Sequence, residues 1–342
     1  MSFFLNRSWL GIAVLALLGG CSPQEQVESF GGPTMGRTYS VQYVRDADTP
    51  PIDDLKQMVQ SILDEVDAQM STYRADSTIE VFNQGPAGCT VVPEPVRHLV
   101  LYGEQLSQAS NGAFDLTVEP LLNLWGFGPQ GQAWKVPSDE ALAEVRKDFG
   151  HQWLKVEGDQ LCKDREAIQV DFNSIAAGYA VDRIATALEE KGVVRYLVEA
   201  TGELKAKGKK PDNQPWRIAI EAPETAQRTA QRIIALDGYG VSTSGDYRNF
   251  FEENGQRYSH TLDPRTGAPI QHNLAAVTVV HPSALEADVL STLLMVLGPN
   301  EGYRFADEHG LLAFFVSRSE EGFVTRSTPA FSAFIDAQES QR

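Results

Sequence analysis

The spacing of apolar residues changes about half-way along the chain. In the first half, apolar residues recur every three or four positions, with acidic residues on the opposite face, which is the pattern of amphipathic helices. This spacing predicts helices over 52–70, 96–110, 138–149 and 175–191. Ser138 has the side chain of a helix N-cap, and Gly150 and Gly192 stand where helices end.

The second half favours strands. Short runs of alternating and β-branched residues predict strands over 195–199, 203–207, 216–221, 232–236 and 275–280, besides an earlier strand over 38–44. Ser283 and Glu286 form a capping box for a helix over 283–297, which Gly298 ends. A helix over 300–309 and strands over 312–317 and 322–327 follow. Because helices and strands fall into separate runs, we expect an α+β fold with antiparallel sheets and packed helices, not a doubly wound Rossmann fold.

The N-terminus has the pattern of a targeting segment. Arg7 precedes a ten-residue apolar run that is too short to cross a bilayer. The run ends in Leu18, Gly19, Gly20 and Cys21, which is typical of a lipobox. We therefore expect a lipoprotein signal peptide over 1–20, a lipidated Cys21 with a tether over 21–29, and one domain over 30–336. An uncleaved anchor and a plain signal peptide are the alternatives.

Composition excludes some classes of partner. The formal net charge of −17 argues against binding to nucleic acid and against electrostatic adhesion to anionic lipid. Besides Cys21, the chain has Cys89 and Cys162. These two could pair in an oxidising compartment, but their separation in sequence does not determine their geometry, so pairing stays open.

One glycine motif does not indicate a nucleotide site. Gly126, Gly128 and Gly131 match G-x-G-x-x-G. That motif binds a dinucleotide only where a strand leads into a helix, and Pro129 with the polar run after it begins no helix. No Walker A pattern occurs, and no cluster of Cys and His suggests zinc or iron.

The densest chemistry lies in residues 241–267. A cluster of hydroxyl side chains is followed by a predicted hairpin, with a turn at 254–255 and a strand over 257–262. His260 lies near the end of that strand, and Asp263 begins the tight turn D-P-R-T-G. From these residues alone, a structural histidine is slightly the better interpretation, and a catalytic group presented at a strand end is the alternative.

A resemblance changes that balance. The segments TSGDYR and YSH-x-x-DPRTG are similar to the signature of the ApbE family, the FAD:protein FMN transferases, and further blocks resemble it from about residue 30 to 297. The resemblance implies a single ApbE-like domain that moves FMN from FAD to a Thr or Ser hydroxyl of a target protein, with Mg²⁺, and releases AMP. A pyrophosphatase that cleaves FAD to FMN and AMP, and a non-catalytic flavin-binding lipoprotein, are the alternatives.

The resemblance also implies residue roles. His260, oriented by or working with Asp263, would be the catalytic base, and Arg265 could neutralise phosphate charge. The residues implied in cofactor binding are Met35, Tyr73, Ala113, Phe114, Asp115, Asp171 and Ala177. The metal would be held by Asp288, Thr292 and a backbone oxygen of Ser174. Asp288 and Thr292 are spaced i, i+4 and so share one helix face, and their oxygens suit Mg²⁺.

Two positions depart from the family pattern. Ala177 stands where family members often have lysine, which removes one cationic contact to the cofactor. Residues 199–203 read E-A-T-G-E, where paired glycines more often precede the glutamate. The implied partner is a subunit of a membrane redox complex. The implied location is the periplasmic face of a bacterial membrane, whether inner or outer.

Overall fold

The computed structural model describes residues 25–131, 134–223, 230–247 and 249–340. The predicted signal peptide and Cys21 lie outside this part of the chain. The helices of the described ranges are α1 (Ile52–Met70), α2 (Thr78–Gln84), α3 (Glu94–Ala109), α4 (Glu119–Trp125), α5 (Asp139–Val145), α6 (Ala176–Glu190), α7 (Ala284–Glu308) and α8 (Pro329–Glu339). None of these helices has both the length and the apolar character needed to cross a bilayer.

The strands are numbered in chain order. They are β1 (Gln26–Thr34), β2 (Arg37–Arg45), β3 (Gly88–Val91), β4 (Leu154–Glu157), β5 (Gln160–Lys163), β6 (Tyr196–Ala200), β7 (Glu203–Lys207), β8 (Trp216–Glu221), β9 (Ala230–Leu236), β10 (Tyr239–Gly245), β11 (Phe250–Glu253), β12 (Gln256–Ser259), β13 (Leu262–Asp263), β14 (Ala268–Pro269), β15 (Leu274–His281), β16 (Leu312–Ser319) and β17 (Gly322–Ser327).

An eight-stranded sheet in the order β1-β2-β6-β7-β10-β15-β16-β17 forms the centre of the fold. Every neighbouring pair in it is antiparallel. The predicted α+β class is therefore confirmed, and the sheet is not the parallel sheet of a Rossmann fold.

Both faces of this sheet are covered. Helices α1, α3, α6 and α7 pack on one face and form the larger core. The β8–β9 hairpin and α8 pack on the other face, where Trp216 and Phe331 are fully buried. Strand β15 is consequently buried on both sides, which explains why its sequence is a nearly continuous apolar run, broken only by Thr278 before His281, instead of an alternating one.

Most predicted elements lie where the sequence placed them, whereas α2, α4, α8, β3, β4, β5 and β10 were not predicted. Helix α5 ends at Val145, four residues earlier than predicted. The two helices predicted on either side of Gly298 are both present, and together they make up α7; the backbone at Gly298 is not helical (φ 79°, ψ −173°), as expected for the residue that ends the first of them. Strand β1 begins at Gln26, so residues 26–29 belong to the sheet and not to a tether. The strand predicted over 257–262 is divided into β12 and β13, with His260 between them.

Cys89 and Cys162 form a disulfide, which settles what the sequence left open. They face each other on β3 and β5, in a three-stranded sheet beside the main domain core, with their Cα atoms 4.0 Å apart. The glycine motif at 126–131 is a turn after α4, as expected, and begins no helix.

Candidate active site

A cavity of about 900 Å³ lies where the start of α6, the middle of α7 and strand β10 meet the turn that carries His260. Nine of the residues implied by the resemblance line it: Ala113, Phe114, Asp115, Asp171, Ser174, Ala177, His260, Asp288 and Thr292. Met35, Tyr73 and Asp263 are not among the lining residues. The cavity therefore brings together residues from Arg37 to Val296, which are 259 positions apart in the chain.

Close helix packing places Asp288 against the first turn of α6. At Gly178, a Cβ atom would lie only 2.5 Å from the Ala284 carbonyl oxygen and 2.7 Å from Asp288 Cβ. Because glycine removes that clash, its N–H can donate to Asp288 Oδ2 over 2.9 Å. Gly240 of β10 packs equally closely on Ala284, where a Cβ would lie 2.7 Å from Cα. Two glycines thus fix α7 between α6 and β10.

The hydroxyl cluster noted in the sequence contacts α7 beside Asp288. Ser242 Oγ lies 3.1 Å and Ser244 Oγ lies 2.8 Å from Ser291 Oγ. Ser244 Oγ also lies 3.3 Å from Thr292 Oγ1. These serine and threonine hydroxyl groups therefore lie within one helical turn of Asp288 along α7. Asp288 and Thr292 both line the cavity, as expected for residues on one helix face.

The cavity is strongly acidic. Its carboxylate-bearing lining residues are Asp115, Asp171, Glu199, Glu203, Glu221 and Asp288, whereas Arg37 is the one Lys or Arg among the described lining residues. Asp288 is only 5% exposed. Burial, and after it the negative charge of Glu203, raises the pKa of Asp288 well above its ordinary value.

This donor set fits a divalent cation. Buried carboxylates require a compensating charge, and within the described residues no Lys or Arg pairs with Asp288. A carboxylate, a threonine hydroxyl and a backbone carbonyl are hard oxygen ligands of the kind that Mg²⁺ prefers. Ser174, four residues before Gly178, lies in the same cavity wall.

Asp115 and Asp171 also line the cavity, and backbone groups hold both carboxylates. Asp115 accepts hydrogen bonds from the Thr117 N–H at 2.8 Å and from the His151 N–H at 2.9 Å. Asp171 accepts the Asn173 N–H at 2.6 Å, and its own N–H donates to the Leu116 carbonyl at 2.8 Å. Burial raises the pKa of Asp171 to about 6. These bonds join two distant sequence blocks into one surface.

Two residues implied in cofactor binding, Tyr73 and Met35, are not among the residues that line the cavity. Tyr73 follows α1 with 68% of its surface exposed. Met35 sits at the β1–β2 turn with φ 42°, next to Gly36 with φ 70°. Positive φ at both central residues is the geometry of a type I′ hairpin turn, so the residues that flank it are held rigidly.

His260 is fixed through its Nδ1 atom. The backbone N–H of His260 donates to the Asn249 carbonyl oxygen over 3.0 Å, and the ring atom Nδ1 lies 3.1 Å from that same oxygen. A proton on Nδ1 leaves Nε2 free to accept another. Burial lowers the pKa of His260 below its ordinary value of 6.5, and the hydrogen bond to the Asn249 carbonyl oxygen and the charge of Asp246 oppose that shift. His260 is therefore neutral near pH 7.

Asp263 does not orient His260. Its carboxylate pairs with Arg265, at 2.9 Å to Nη2 and 3.0 Å to Nε, and accepts the Arg265 N–H at 2.9 Å. Arg265 also pairs with Glu301 at 3.0 Å. The reason is the tight turn, which folds residue 265 back onto residue 263. Arg265 is not among the residues that line the cavity, and its suggested contact with phosphate stays a prediction.

Glu203 and Arg37 are two of the lining residues that were not predicted as site residues. Glu203 accepts a hydrogen bond from Thr201 Oγ1 at 3.0 Å, and its negative charge acts on Asp288. In the sequence, Glu203 was noted only as the last residue of the segment E-A-T-G-E, which departs from the family pattern. Arg37 lies two residues after Met35, which the resemblance had already marked, but Arg37 itself was not named. The signal that could have identified Arg37 was its positive charge, so close in sequence to Met35.

Comparison with known proteins now decides the family. The sequence model of the ApbE family matches residues 35–315. This chain belongs to the ApbE family. An FAD:protein FMN transferase of Vibrio cholerae is 41% identical over 340 residues, which is 96% of this chain and 99% of the relative. A protein of the same name from Haemophilus influenzae is 39% identical over 342 residues, 96% of this chain and 98% of the relative.

Solved structures of ApbE proteins share the fold. The crystal structure of Pseudomonas stutzeri flavinyl transferase ApbE, in its apo form, is similar with a TM-score of 0.86 and 59% identity, over 91% of this chain and 97% of that one. In the present ApbE protein, the cavity position where the resemblance implies lysine is Ala177, in the first turn of α6.

Proposed function

We propose that this ApbE protein transfers FMN from FAD to a Thr or Ser hydroxyl of a target protein. The observation that carries the proposal is that His260 and the oxygen set of Asp288 and Thr292 line one cavity, although 28 positions separate His260 from Asp288. The names of the relatives support the same activity. A protein that only carried flavin would need neither a free histidine nitrogen nor a group of uncompensated carboxylates.

The transfer is a substitution at phosphorus. The acceptor hydroxyl oxygen forms a bond to the phosphorus of the FMN half of FAD, while the bond from that phosphorus to the bridging oxygen breaks and AMP leaves with the bridging oxygen. The hydroxyl proton passes to Nε2 of His260, which the Nδ1 contact with Asn249 leaves available. The walls built by Asp115 and Asp171 position the flavin nucleotide.

Asp288, Thr292 and the Ser174 carbonyl would hold Mg²⁺. When bound, Mg²⁺ neutralises diphosphate charge and so helps AMP to leave. Gly178 contributes by keeping one Asp288 oxygen occupied, so that the carboxylate presents its other oxygen in a fixed direction. The serine and threonine hydroxyls from β10 and α7 hold this part of the cavity rigid.

The location is proposed from the N-terminal sequence. Cys21 after Leu18, Gly19 and Gly20 would carry lipid and hold the domain at the periplasmic face of a bacterial membrane. The disulfide between Cys89 and Cys162 is of the kind that persists in oxidising compartments. An acceptor subunit of a membrane redox complex would be within reach there.

The test is mass spectrometry of a candidate acceptor protein co-expressed with this chain. We expect a covalent addition of FMN on a Thr or Ser peptide with the wild-type protein, and none with His260→Ala. Incubation with FAD alone tests the pyrophosphatase alternative, because rapid AMP release without an acceptor would favour hydrolysis. Bound FAD that persists with Mg²⁺ and acceptor would refute both activities.

A further inference from the structure

The charge balance of the cavity raises a question that the proposed metal answers only in part. FAD brings a negatively charged diphosphate into a cavity whose described lining contains six carboxylates. One divalent cation beside Asp288 offsets part of that charge. Ala177 supplies none, because its side chain is apolar. A second positive charge is therefore needed near the diphosphate.

Arg37 is placed to supply it. It is the first residue of β2 and pairs with Thr34 across the turn at Met35 and Gly36. Its side chain is exposed and lines the cavity. In the described part of the chain, its guanidinium has no hydrogen-bond or ion-pair partner, whereas Arg45 at the other end of β2 is paired with Glu28 at 2.8 Å. The rigid turn fixes where Arg37 begins, and its side chain remains available.

Arg37, Glu203 and His260 line the same cavity. Burial is the main cause of the raised pKa of Glu203 and of the lowered pKa of His260. The charge of Arg37 opposes the shift at Glu203 and adds to the shift at His260. These effects agree with a guanidinium that lies near both side chains.

We propose that Arg37 binds the diphosphate of FAD and supplies, from the β1–β2 turn, the positive charge that α6 lacks at Ala177. This inference rests on the proposed function for the identity of the ligand. An arginine can donate two parallel hydrogen bonds to phosphate oxygens, which makes it suited to that role. Arg37 is thus a substrate-binding residue that, in this chain, offsets the negative charge of the diphosphate in place of the lysine that Ala177 replaces.

The experiment compares two ligands that differ in phosphate. Binding of FAD and of riboflavin to the full-length protein is measured by flavin fluorescence in EDTA, without acceptor. Arg37→Gln should weaken FAD binding by roughly ten- to a hundredfold, the usual worth of a charge-assisted hydrogen bond, and leave riboflavin binding unchanged. Arg37→Lys should keep most of the affinity. Wild-type affinity for FAD should also fall more steeply with salt than that of Arg37→Gln.

Two further variants control the result. Arg45→Gln removes an exposed arginine from the same strand, outside the cavity, and should leave both affinities unchanged. Ala177→Lys in the Arg37→Gln background places a positive charge on the first turn of α6, which also lines the cavity. This second change should recover part of the lost FAD affinity. Unchanged riboflavin binding shows in each case that the cavity is folded.

Equal loss of both ligands, or loss of neither, in Arg37→Gln would overturn the inference. A melting temperature that falls in Arg37→Gln, with the ratio of the two affinities unchanged, would assign Arg37 to pairing with Glu203 and would overturn it as well. FAD binding is measured without acceptor, so it does not depend on transfer. If Arg37→Gln loses affinity for FAD and not for riboflavin, but the wild-type protein modifies no acceptor, only the proposed transfer is refuted.

Discussion

The two halves of the cavity are built in different ways. The inner half, with Asp288 and Thr292, lies inside the main core, where α7 is packed between α6 and β10 through two glycine contacts. The outer half, with His260, lies between the short strands β12 and β13, outside the eight-stranded sheet. The inner half is fixed by packing, and the outer half is fixed by a few backbone hydrogen bonds.

Two aspartates show what this difference means. Asp288 and Asp263 are 5% and 9% exposed. Asp263 has a guanidinium partner in Arg265, whereas Asp288 faces the like charge of Glu203 and receives one backbone N–H. A buried carboxylate with a cation beside it stabilises its own turn. A buried carboxylate without one is available to a ligand, so the charge environment distinguishes site from scaffold more sharply than burial does.

The largest effect that we expect is on the outer half. His260→Ala should slow single-turnover FMN transfer by roughly 10²–10⁴-fold, the usual worth of a positioned base, and should leave FAD affinity near wild type. The same preparation should keep its melting temperature, because the ring makes only one described hydrogen bond, to Asn249. A loss of rate that merely follows unfolding would instead make His260 structural.

The pH profile sharpens this prediction. Burial lowers the pKa of His260, so its base form is present above pH 6.5 and is lost as pH falls further. The wild-type rate should therefore have an acidic limb below pH 6.5, and this limb should be absent from the residual rate of His260→Ala. A limb that persists in the variant would point to another base, with Asp246 as the next candidate.

A smaller effect is expected from breaking the packing of the inner half. Gly178→Ala puts a methyl group where the Ala284 carbonyl oxygen would be 2.5 Å away, so α6 must move from α7. We expect the free energy of unfolding to fall by about 1–3 kcal/mol, as for overpacked cores, and the response to Mg²⁺ to weaken. Denaturant unfolding measures the first and the Mg²⁺ dependence of transfer the second.

Glu190→Ala, at the exposed end of α6, is the matched control and should change stability by less than about 0.5 kcal/mol. Normal stability in Gly178→Ala would mean that the two helices separate easily, and then packing would not be what fixes Asp288.

The smallest effect is expected at Asp263. Asp263→Asn removes the charge of a buried carboxylate whose partner, Arg265, is about a third exposed, so we expect a loss of about 1 kcal/mol in the free energy of unfolding. The transfer rate should stay within about threefold of wild type. A rate loss of a hundredfold without loss of stability would restore Asp263 as the partner of His260 and remove the contrast with Asp288.

The sequence predicted the inner half better than the outer half for a physical reason. In a helix, residues i and i+4 share a face wherever the helix lies, so the spacing predicted that Asp288 and Thr292 face the same way, while their role as metal ligands came from the resemblance. In a turn, side-chain direction depends on every local dihedral angle. The three-residue spacing of His260 and Asp263 therefore had no fixed meaning, and Arg265 took the carboxylate.

Other features depend on contacts between distant segments. The role of Gly178 appears only when α6 meets α7, and the effect of Glu203 on Asp288 only when β7 lies beside them. Strand β1 was missed because Gly31, Gly32 and Pro33 interrupt any strand pattern, and its register with β2 supplies the order that its own sequence lacks. The resemblance located these blocks without giving their geometry.

The most direct test of this account is the effect of Mg²⁺ on thermal unfolding of the wild type, Asp288→Asn and Asp263→Asn. A ligand that binds the folded state raises its stability, by about 2.7 kcal/mol at a hundred times the dissociation constant. We predict that Mg²⁺ raises the melting temperature of the wild type and of Asp263→Asn by the same amount, and leaves Asp288→Asn unchanged. In EDTA, Asp288→Asn should melt no lower than the wild type, because it loses an uncompensated buried charge. A full Mg²⁺ shift in Asp288→Asn, or its loss in Asp263→Asn, would contradict the account.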